Sequence, residues 1–297
     1  MKDKAIEFGK FSEIVPGIFT MKIPFGAVWT TVILVKGDEL VLIDSGPDSE
    51  KAGSFIMPAL AEIKINPKEI KLLLNTHCHG DHIGGHFRFC EITGVPAAVF
   101  RQAEEKITDP LKYSKKIRAR FPGNSPEAPA GLRGVVPARL LDERETAAGR
   151  LKLFHTPGHD TDSLCWFDEK TGTLLSGDSV QGSGALGNAL AFYQDLRAYQ
   201  TSLELLQKLN AENLAASHYY RPFGELASGK KAVKDYLQAS LESIDRYDAF
   251  IKTQSPCDVE QMTLRLIEHE AQQKPPFLFL EMYTVSEHMK SLKKLHS

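Results

Sequence analysis

The sequence lacks any apolar run near the ~20 residues that a membrane span requires. Its first residues, MKDKAIEFGKFSEIVPG, carry charges where a secretory leader would need an apolar stretch. No membrane partner is expected, and the cytoplasm is the expected compartment. Cysteine is sparse: Cys78, Cys90, Cys165 and Cys257 form no CxxC pair and no dense framework, so reduced thiols are expected and stability must come from a packed core rather than disulfides. An excess of either charge is also missing. With 36 basic and 38 acidic residues the net charge is −2, which gives no global attraction to nucleic acid and leaves only a local basic patch as a route to one. No internal repeat is visible, which argues against a solenoid. What is present suffices for a large core: 297 residues, 42% hydrophobic and 25% charged, enough for one large domain or a domain with an appendage.

The first half reads as short β-branched runs broken by turn residues. Thr30–Val35 and Leu40–Ile43 flank the turn Gly37-Asp38-Glu39 and predict a hairpin. After Asp44-Ser45-Gly46-Pro47, helical spacing of apolar residues covers Ser49–Ile63. Ile70–Leu74 reads as a strand buried on both faces, which predicts helices on both sides of its sheet. Further strands are expected at Ala97–Phe100, Arg150–His155, Leu164–Phe167 and Thr173–Leu175, and a helix at Leu203–Leu209. The alternation argues for an α/β core of sheet between helices. Residues 102–135, with Pro110, Pro122, Pro126 and Pro129, read as a short helical stretch and then a long irregular excursion of the lid or wall type. From Lys230 onward three helices are expected, at Lys231–Ile251, Asp258–Glu270 and Glu281–Leu295, divided at Ser255-Pro256 and Pro275-Pro276. The expected organisation is a catalytic domain over residues 1–229 and a helical module over 230–297. Ala232, Val233, Tyr236, Leu237, Leu241 and Ile244 form a helical stripe that must be buried, on the core or on a second subunit; a homodimer is compatible with this.

The chemistry concentrates in residues 75–85, NTHCHGDHIGG, directly after the strand Ile70–Leu74. Imidazole and carboxylate together suit zinc, iron or manganese better than magnesium or calcium. Alternation along an extended segment puts His77 and His79 on one side, Asp81 and His82 turn toward the same point, and Gly84-Gly85 permits a tight helix start. Three more candidates each follow an expected strand: His159 in HTPGHD, Asp178 in LLSGDS and His218 in AASHYYRP. Donors from several strand ends can meet at one sheet edge, where α/β proteins place their chemistry. His86, His155, His269, His288 and His296 are expected to be ordinary surface or core side chains, and Cys78 to point away from its two neighbours.

An HxHxDH motif followed by TPGH, then GD, then a lone histidine after a strand resembles the metallo-β-lactamase-fold superfamily over roughly residues 14–225. The resemblance implies an αββα sandwich with a dinuclear site. It assigns His77, His79 and His159 to one metal, Asp81, His82 and His218 to the other, and Asp178 to a bridge between them. Asp44, in LVLIDSGPD, matches the family's aspartate that orients a ligand through a hydrogen bond. Asp81 and Asp178 are the expected catalytic carboxylates. Independently of the name, two divalent ions ~3.5–4 Å apart can share a water, lower its pKa and polarise an acyl or phosphoryl oxygen, so hydrolysis by a bridging hydroxide is the expected reaction. Two ions are expected, with zinc ahead of iron and manganese. Flavodiiron relatives carry an acidic residue where this chain has His79 and add a flavodoxin domain absent here, which argues against redox chemistry.

Substrate choice in this fold lies in loops and appendages. The layout GDSVQGSG, a helix, SHYYRPFGE and a helical tail is similar to glyoxalase-II-like hydrolases whose members end in a winged-helix-like piece; one of that subgroup is an endoribonuclease. The usual GHG or GHGP around the last metal histidine is here SHYYRP. Phe192, Tyr193, Tyr219 and Tyr220 form a candidate aromatic pocket for a small acyl compound. Lys112–Phe121, KYSKKIRARF, offers cations with interleaved aromatics that could hold a nucleic-acid backbone, the second-ranked reading. Secreted lactamases are disfavoured by the absent leader. The leading expectation is a small ester, thioester or lactone as substrate. The third alternative, of another class, is a metal-binding or interaction protein without catalysis.

Overall fold

The computed structural model describes residues 6–26 and 28–295. His296, expected to be an ordinary side chain, lies outside them. The strands are β1 (Ser12–Val15), β2 (Ile18–Phe25), β3 (Val28–Lys36), β4 (Leu40–Ile43), β5 (Ile70–Leu74), β6 (Ala98–Phe100), β7 (Arg139–Leu141), β8 (Thr146–Ala147), β9 (Leu151–His155), β10 (Leu164–Asp168), β11 (Thr173–Gly177), β12 (Asn213–Tyr220) and β13 (Gly224–Ser228). The α-helices are α1 (Ser49–Lys51), α2 (Met57–Glu62), α3 (Gly80–Ile83), α4 (His86–Thr93), α5 (Glu104–Thr108), α6 (Pro110–Arg118), α7 (Leu196–Gln207), α8 (Lys230–Thr253), α9 (Val259–His269) and α10 (Phe279–Leu295). The fold class is α/β, as expected.

The chain divides into two compact units that interleave along the sequence. The first comprises the residues up to Ser114, Pro129–Leu153 and Glu169–Thr171; the second comprises Lys115–Ala128, Phe154–Asp168 and Gly172 onward. In the first, β1 to β5 form one sheet in sequence order, with β1 to β4 antiparallel to their neighbours and β5 added parallel to β4. Met21, Ile23, Val32, Leu34, Leu42 and Leu73 of this sheet pack against Ile56, Leu60 and Phe89 from the helices. Each large apolar side chain so buried contributes roughly 1.5–3 kcal/mol over its exposed state, which is why an apolar stretch such as Val32–Val35 is committed to strand. The expected hairpin is β3 and β4. Ser49–Ile63 is helical as read, passing from α1 through a widened turn at Ala52–Ile56 into α2.

In the second unit β10 to β13 lie in a six-stranded sheet ordered β13-β12-β11-β10-β9-β8. Its core joins Leu174, Leu214 and Ala216 of the strands to Tyr199, Leu203 and Leu206 of α7. Val233, Tyr236, Leu237, Ile244 and Tyr247 of α8 and Met262, Leu266, Met282 and Val285 of α9 and α10 belong to the same cluster. The apolar stripe of the tail is therefore buried on this chain's own strands. The tail is three helices with no strand among its described residues, helical rather than winged. No helix among the described residues is long and apolar enough to cross a membrane.

Four expectations need correction. Lys71 is exposed and Leu72 half-buried, so β5 is not buried on both faces as its apolar run suggested. The helix expected at Leu203 begins at Leu196, where the Asp195 carboxylate accepts the Ala198 N–H and caps it. The helical stretch expected at the start of residues 102–135 is present but runs further than a short one, through α5 and α6, because Ile107, Ser114 and Ile117 supply a buried stripe; the irregular part follows as expected. Finally β1, β2, β7, β8 and β13 were not anticipated: β1, β7 and β8 are only two to four residues long, and Lys22 and Pro24 in β2 and Glu225 in β13 interrupt the apolar patterns.

Candidate metal centre

Within the first unit, β5 delivers the chain into Asn75–His79, and α3 opens at Gly80 after an extended His79. The His77 and His79 rings come to 4.5 Å between centroids, and His77 and His82 to 4.0 Å. His82 Nε2 lies 3.5 Å from Asp81 Oδ2. Four side chains of ligand type thus share one small volume, with His77 and His82 buried and His79 and Asp81 partly open.

Asp44 organises this cluster. Its Oδ2 accepts from Thr76 Oγ1 at 2.8 Å and stands 2.9 Å from His82 Nδ1, while Oδ1 accepts from the Thr76 N–H at 2.8 Å. A carboxylate opposite Nδ1 keeps the proton on that nitrogen and leaves the Nε2 lone pair for an ion. The position carries backbone strain: Asp44 has φ 61°, a left-handed conformation that few non-glycine residues adopt. Its N–H is held by Leu74 O at 2.9 Å.

The glycines after the motif act by close approach rather than by unusual dihedrals. Gly84 has an ordinary φ of −57°, but a Cβ there would come 2.0 Å from Pro47 O and 2.6 Å from Gly80 O, and one on Gly85 would come 2.4 Å from Ser45 O. Ser45 Oγ lies 2.7 Å from His86 Nδ1, and full burial pushes His86 down to about 3, so this histidine is a neutral core group. Cys78 turns away as expected, into the cluster of Ile83, Val99, Ala103 and Ile107. Two residues of the 102–135 excursion border the motif: Tyr113 stacks on His79 at 6.4 Å, and Leu132 lies against Gly80.

Within the second unit, His159 comes from the loop after β9, Asp178 directly follows β11, and His218 lies inside β12, not beyond its end as read from sequence. Asp178 Oδ2 stands 3.6 Å from His159 Nε2 and 3.3 Å from His218 Nε2. One buried carboxylate oxygen thus faces the Nε2 of both imidazoles. His159 Nδ1 lies 2.9 Å from Phe192 O, a pure acceptor, and 3.1 Å from Gln181 Nε2, whose protons go to Phe192 O and Asp178 O; the acceptor contact favours the proton on Nδ1 and the lone pair on Nε2. Gln181 supports the arrangement: its Oε1 accepts the Phe192 N–H at 2.8 Å and its Nε2 donates to Phe192 O and Asp178 O. Gln181 carried no signal in the sequence beyond its place three residues after Asp178.

The four aromatics proposed for a pocket are placed unequally. Phe192 sets its ring edge-on to His159 at 4.9 Å, and Tyr219 is half-buried. Tyr193 stacks on Tyr199 at 4.7 Å with its hydroxyl 2.5 Å from His288 Nε2. Tyr220 is fully buried, and burial followed by the Asp178 charge pushes its phenol well above the usual range. Of the basic run, Arg120 donates to Ser286 Oγ and packs over Tyr283, and Arg118 lies over Phe279, whereas Lys112, Lys115 and Lys116 are exposed.

Imidazole nitrogens with carboxylates in buried, pre-oriented positions fit a transition-metal ion such as zinc. The chain carries a His/Asp cluster that could hold metal.

Comparison with known proteins agrees. Residues 23–218 match the profile of the Metallo-beta-lactamase superfamily. The chain is 29% identical over 188 residues to a Beta-lactamase-like protein 2 homolog of Drosophila melanogaster, covering 63% of this chain and 57% of that protein. It is 30% identical over 179 residues to an atrochrysone carboxyl ACP thioesterase of Aspergillus fumigatus, covering 60% and 47%. The match therefore spans about half the length of these curated relatives. Among solved structures, a metallo-beta-lactamase family protein of Thermus thermophilus superposes with a TM-score of 0.73 at 21% identity, covering 95% of each chain, which shows a shared fold. With its profile match over most of the sequence and a fold to accord with it, the chain belongs to the metallo-β-lactamase superfamily.

Proposed function

We propose that the protein is a dinuclear metal-dependent hydrolase acting on a small ester, thioester or lactone. The observation that carries the reading is the Asp178 carboxylate oxygen, buried and facing the Nε2 atoms of His159 and His218 at 3.6 and 3.3 Å. A charged carboxylate so placed suits two cations better than one, because it offsets their mutual repulsion. In this reading His77, His79 and His159 would hold one ion and Asp81, His82 and His218 the other, with Asp178 the carboxylate that would serve both. When bound, the ions supply Lewis acidity, lowering the pKa of water and polarising an acyl oxygen.

The chain's own residues do the rest. Asp44 holds the proton on His82 Nδ1, and Phe192 O holds the one on His159 Nδ1, so that both rings offer Nε2. Asp81 and Asp178 provide negative charge and proton acceptors beside the reacting centre. Tyr113 and Leu132 cover the histidine motif of the first unit and Phe192 covers His159 in the second, and shielding from water strengthens charge interactions beside each. Zinc is the proposed metal, with iron and manganese compatible with the same donors, and the proposed compartment is the cytoplasm, where the four free thiols stay reduced.

A small acyl substrate is favoured over nucleic acid because Arg118 and Arg120 of the basic run are committed to contacts within the chain. The thioesterase among the relatives supports the acyl class. A parallel assay of zinc-loaded protein on lactone and thioester panels and on single-stranded RNA at two salt concentrations tests the choice. Turnover of a small acyl compound is expected; RNA cleavage falling steeply with salt, with no ester turned over, would reverse it.

A further inference from the structure

The last helix, α10, presents Glu281, Thr284 and His288 at spacings of three and four, one face of a helix. All three are buried, and all three reach the same irregular segment, Ala189–Tyr193. Glu281 Oε1 accepts the Ala189 N–H at 3.1 Å. Thr284 Oγ1 donates to Ala191 O at 2.8 Å and accepts the Tyr193 N–H at 3.1 Å, so one hydroxyl ties both residues that flank Phe192. His288 Nε2 lies 2.5 Å from the Tyr193 hydroxyl, and its Nδ1 lies 2.5 Å from Asp248 Oδ1 on α8. Tyr247, also on α8, accepts the Ala191 N–H at 3.3 Å.

Phe192 is thereby fixed from both sides, and its carbonyl is the group that faces His159 Nδ1 at 2.9 Å. Rotation of that carbonyl would remove the acceptor that holds the proton on Nδ1 and would free the imidazole to turn or change tautomer. A segment without regular structure has no ladder of its own to resist this rotation. Gln181 holds the Phe192 N–H and carbonyl directly, and the helical tail adds the restraint on the two residues that flank Phe192.

We propose that Thr284, backed by the Tyr193–His288–Asp248 chain, is a positioning residue for His159, so that the C-terminal helices set metal affinity rather than merely stabilise the fold. The inference rests on the reading of His159 as a metal ligand. Buried hydrogen-bonded chains of this kind act as units, and partners of ligating histidines typically alter metal affinity 10- to 100-fold.

The test compares wild type, Thr284→Val, Thr284→Ser and Tyr193→Phe in the full-length protein. Zinc affinity is measured by chelator competition, the ligand field by visible absorption of the cobalt(II)-substituted protein, and fold integrity by melting of the metal-free protein. Thr284→Val and Tyr193→Phe are expected to weaken one of two zinc sites about 10- to 100-fold and to change the cobalt spectrum, with Thr284→Ser restoring both. Variants that melt earlier without metal yet keep wild-type zinc affinity and an unchanged cobalt spectrum would overturn the positioning role while leaving the metal site intact. A wild-type protein that takes up no zinc or cobalt would overturn the ligand assignment itself.

Discussion

Asp44 and His82 are joined in a buried contact of 2.9 Å between Oδ2 and Nδ1, although 38 positions separate them in the chain. The same carboxylate accepts both donors of Thr76, so three donors converge on two oxygens. Asp44→Asn keeps size and tolerates the left-handed backbone, but one of its two polar atoms becomes a donor facing donors. Metal affinity should fall about 10-fold or more, and stability by about 1–3 kcal/mol. Chelator competition and melting measure both; wild-type values in this variant would contradict the account of Asp44.

Asp178→Asn removes the charge that faces two imidazoles. Hydrolysis or metal content should fall by at least about 10- to 100-fold, more than for Asp44→Asn. Turnover near wild type at full metal occupancy would rule out the bridging role.

Gly84 and Gly53 make a controlled pair. Gly84→Ala would drive a Cβ to 2.0 Å from Pro47 O, so the turn that carries Asp44 must move, whereas a Cβ on Gly53 meets nothing within 4 Å. Gly84→Ala should destabilise by about 1–3 kcal/mol or more, and Gly53→Ala should be neutral or stabilise by about 0.5–1 kcal/mol. Equal effects in urea unfolding would show that close approach is not what Gly84 provides.

Glu281 sets a pH dependence of the tail. Burial raises its carboxyl from 4.5 to about 7, against the hydrogen bond from Ala189 and the charge of Arg221, which lower it. A raised folded value means that the native state favours the protonated acid. The stabilisation is full below about pH 4.5 and is lost as pH rises through about 7. Its size is on the order of 3 kcal/mol. Glu281→Gln keeps the acceptor for Ala189 and should flatten this part of the stability profile between pH 5 and 8. A slope unchanged by the substitution would refute the assignment.

Most of the first unit's candidate site was legible in the sequence because its four side chains of ligand type lie within six residues, after a strand whose apolar run is unambiguous. Asp44 was legible for the same reason, at the end of the apolar run Leu40–Ile43. His159 and Asp178 stand in recognisable turns after strands. His218 was found by its motif, but its place inside β12 was hidden because polar Ser217, His218 and two tyrosines look like a strand's end. The supporting groups were not legible. Gln181, Thr284 and His288 sit in ordinary helical or loop contexts, and their partners in the Ala189–Tyr193 segment lie 11 to 95 positions away, so only the folded chain brings them together. His288 is a core side chain as expected, but its partners were hidden, and Tyr193 was expected to line a pocket because an aromatic in an apolar stretch looks the same whether it packs, lines a pocket or joins a buried hydrogen-bond chain.

The central claim is that this chain holds two metal ions and hydrolyses an acyl bond with them. The most direct measurement is elemental analysis of protein purified without added metal, coupled to hydrolysis of an ester, thioester and lactone panel before and after chelation. The account predicts about two transition-metal ions per chain, zinc foremost, with activity lost on chelation and restored on adding metal back. Fewer than about one ion per chain, with no gain in activity on adding zinc, iron or manganese, would contradict it.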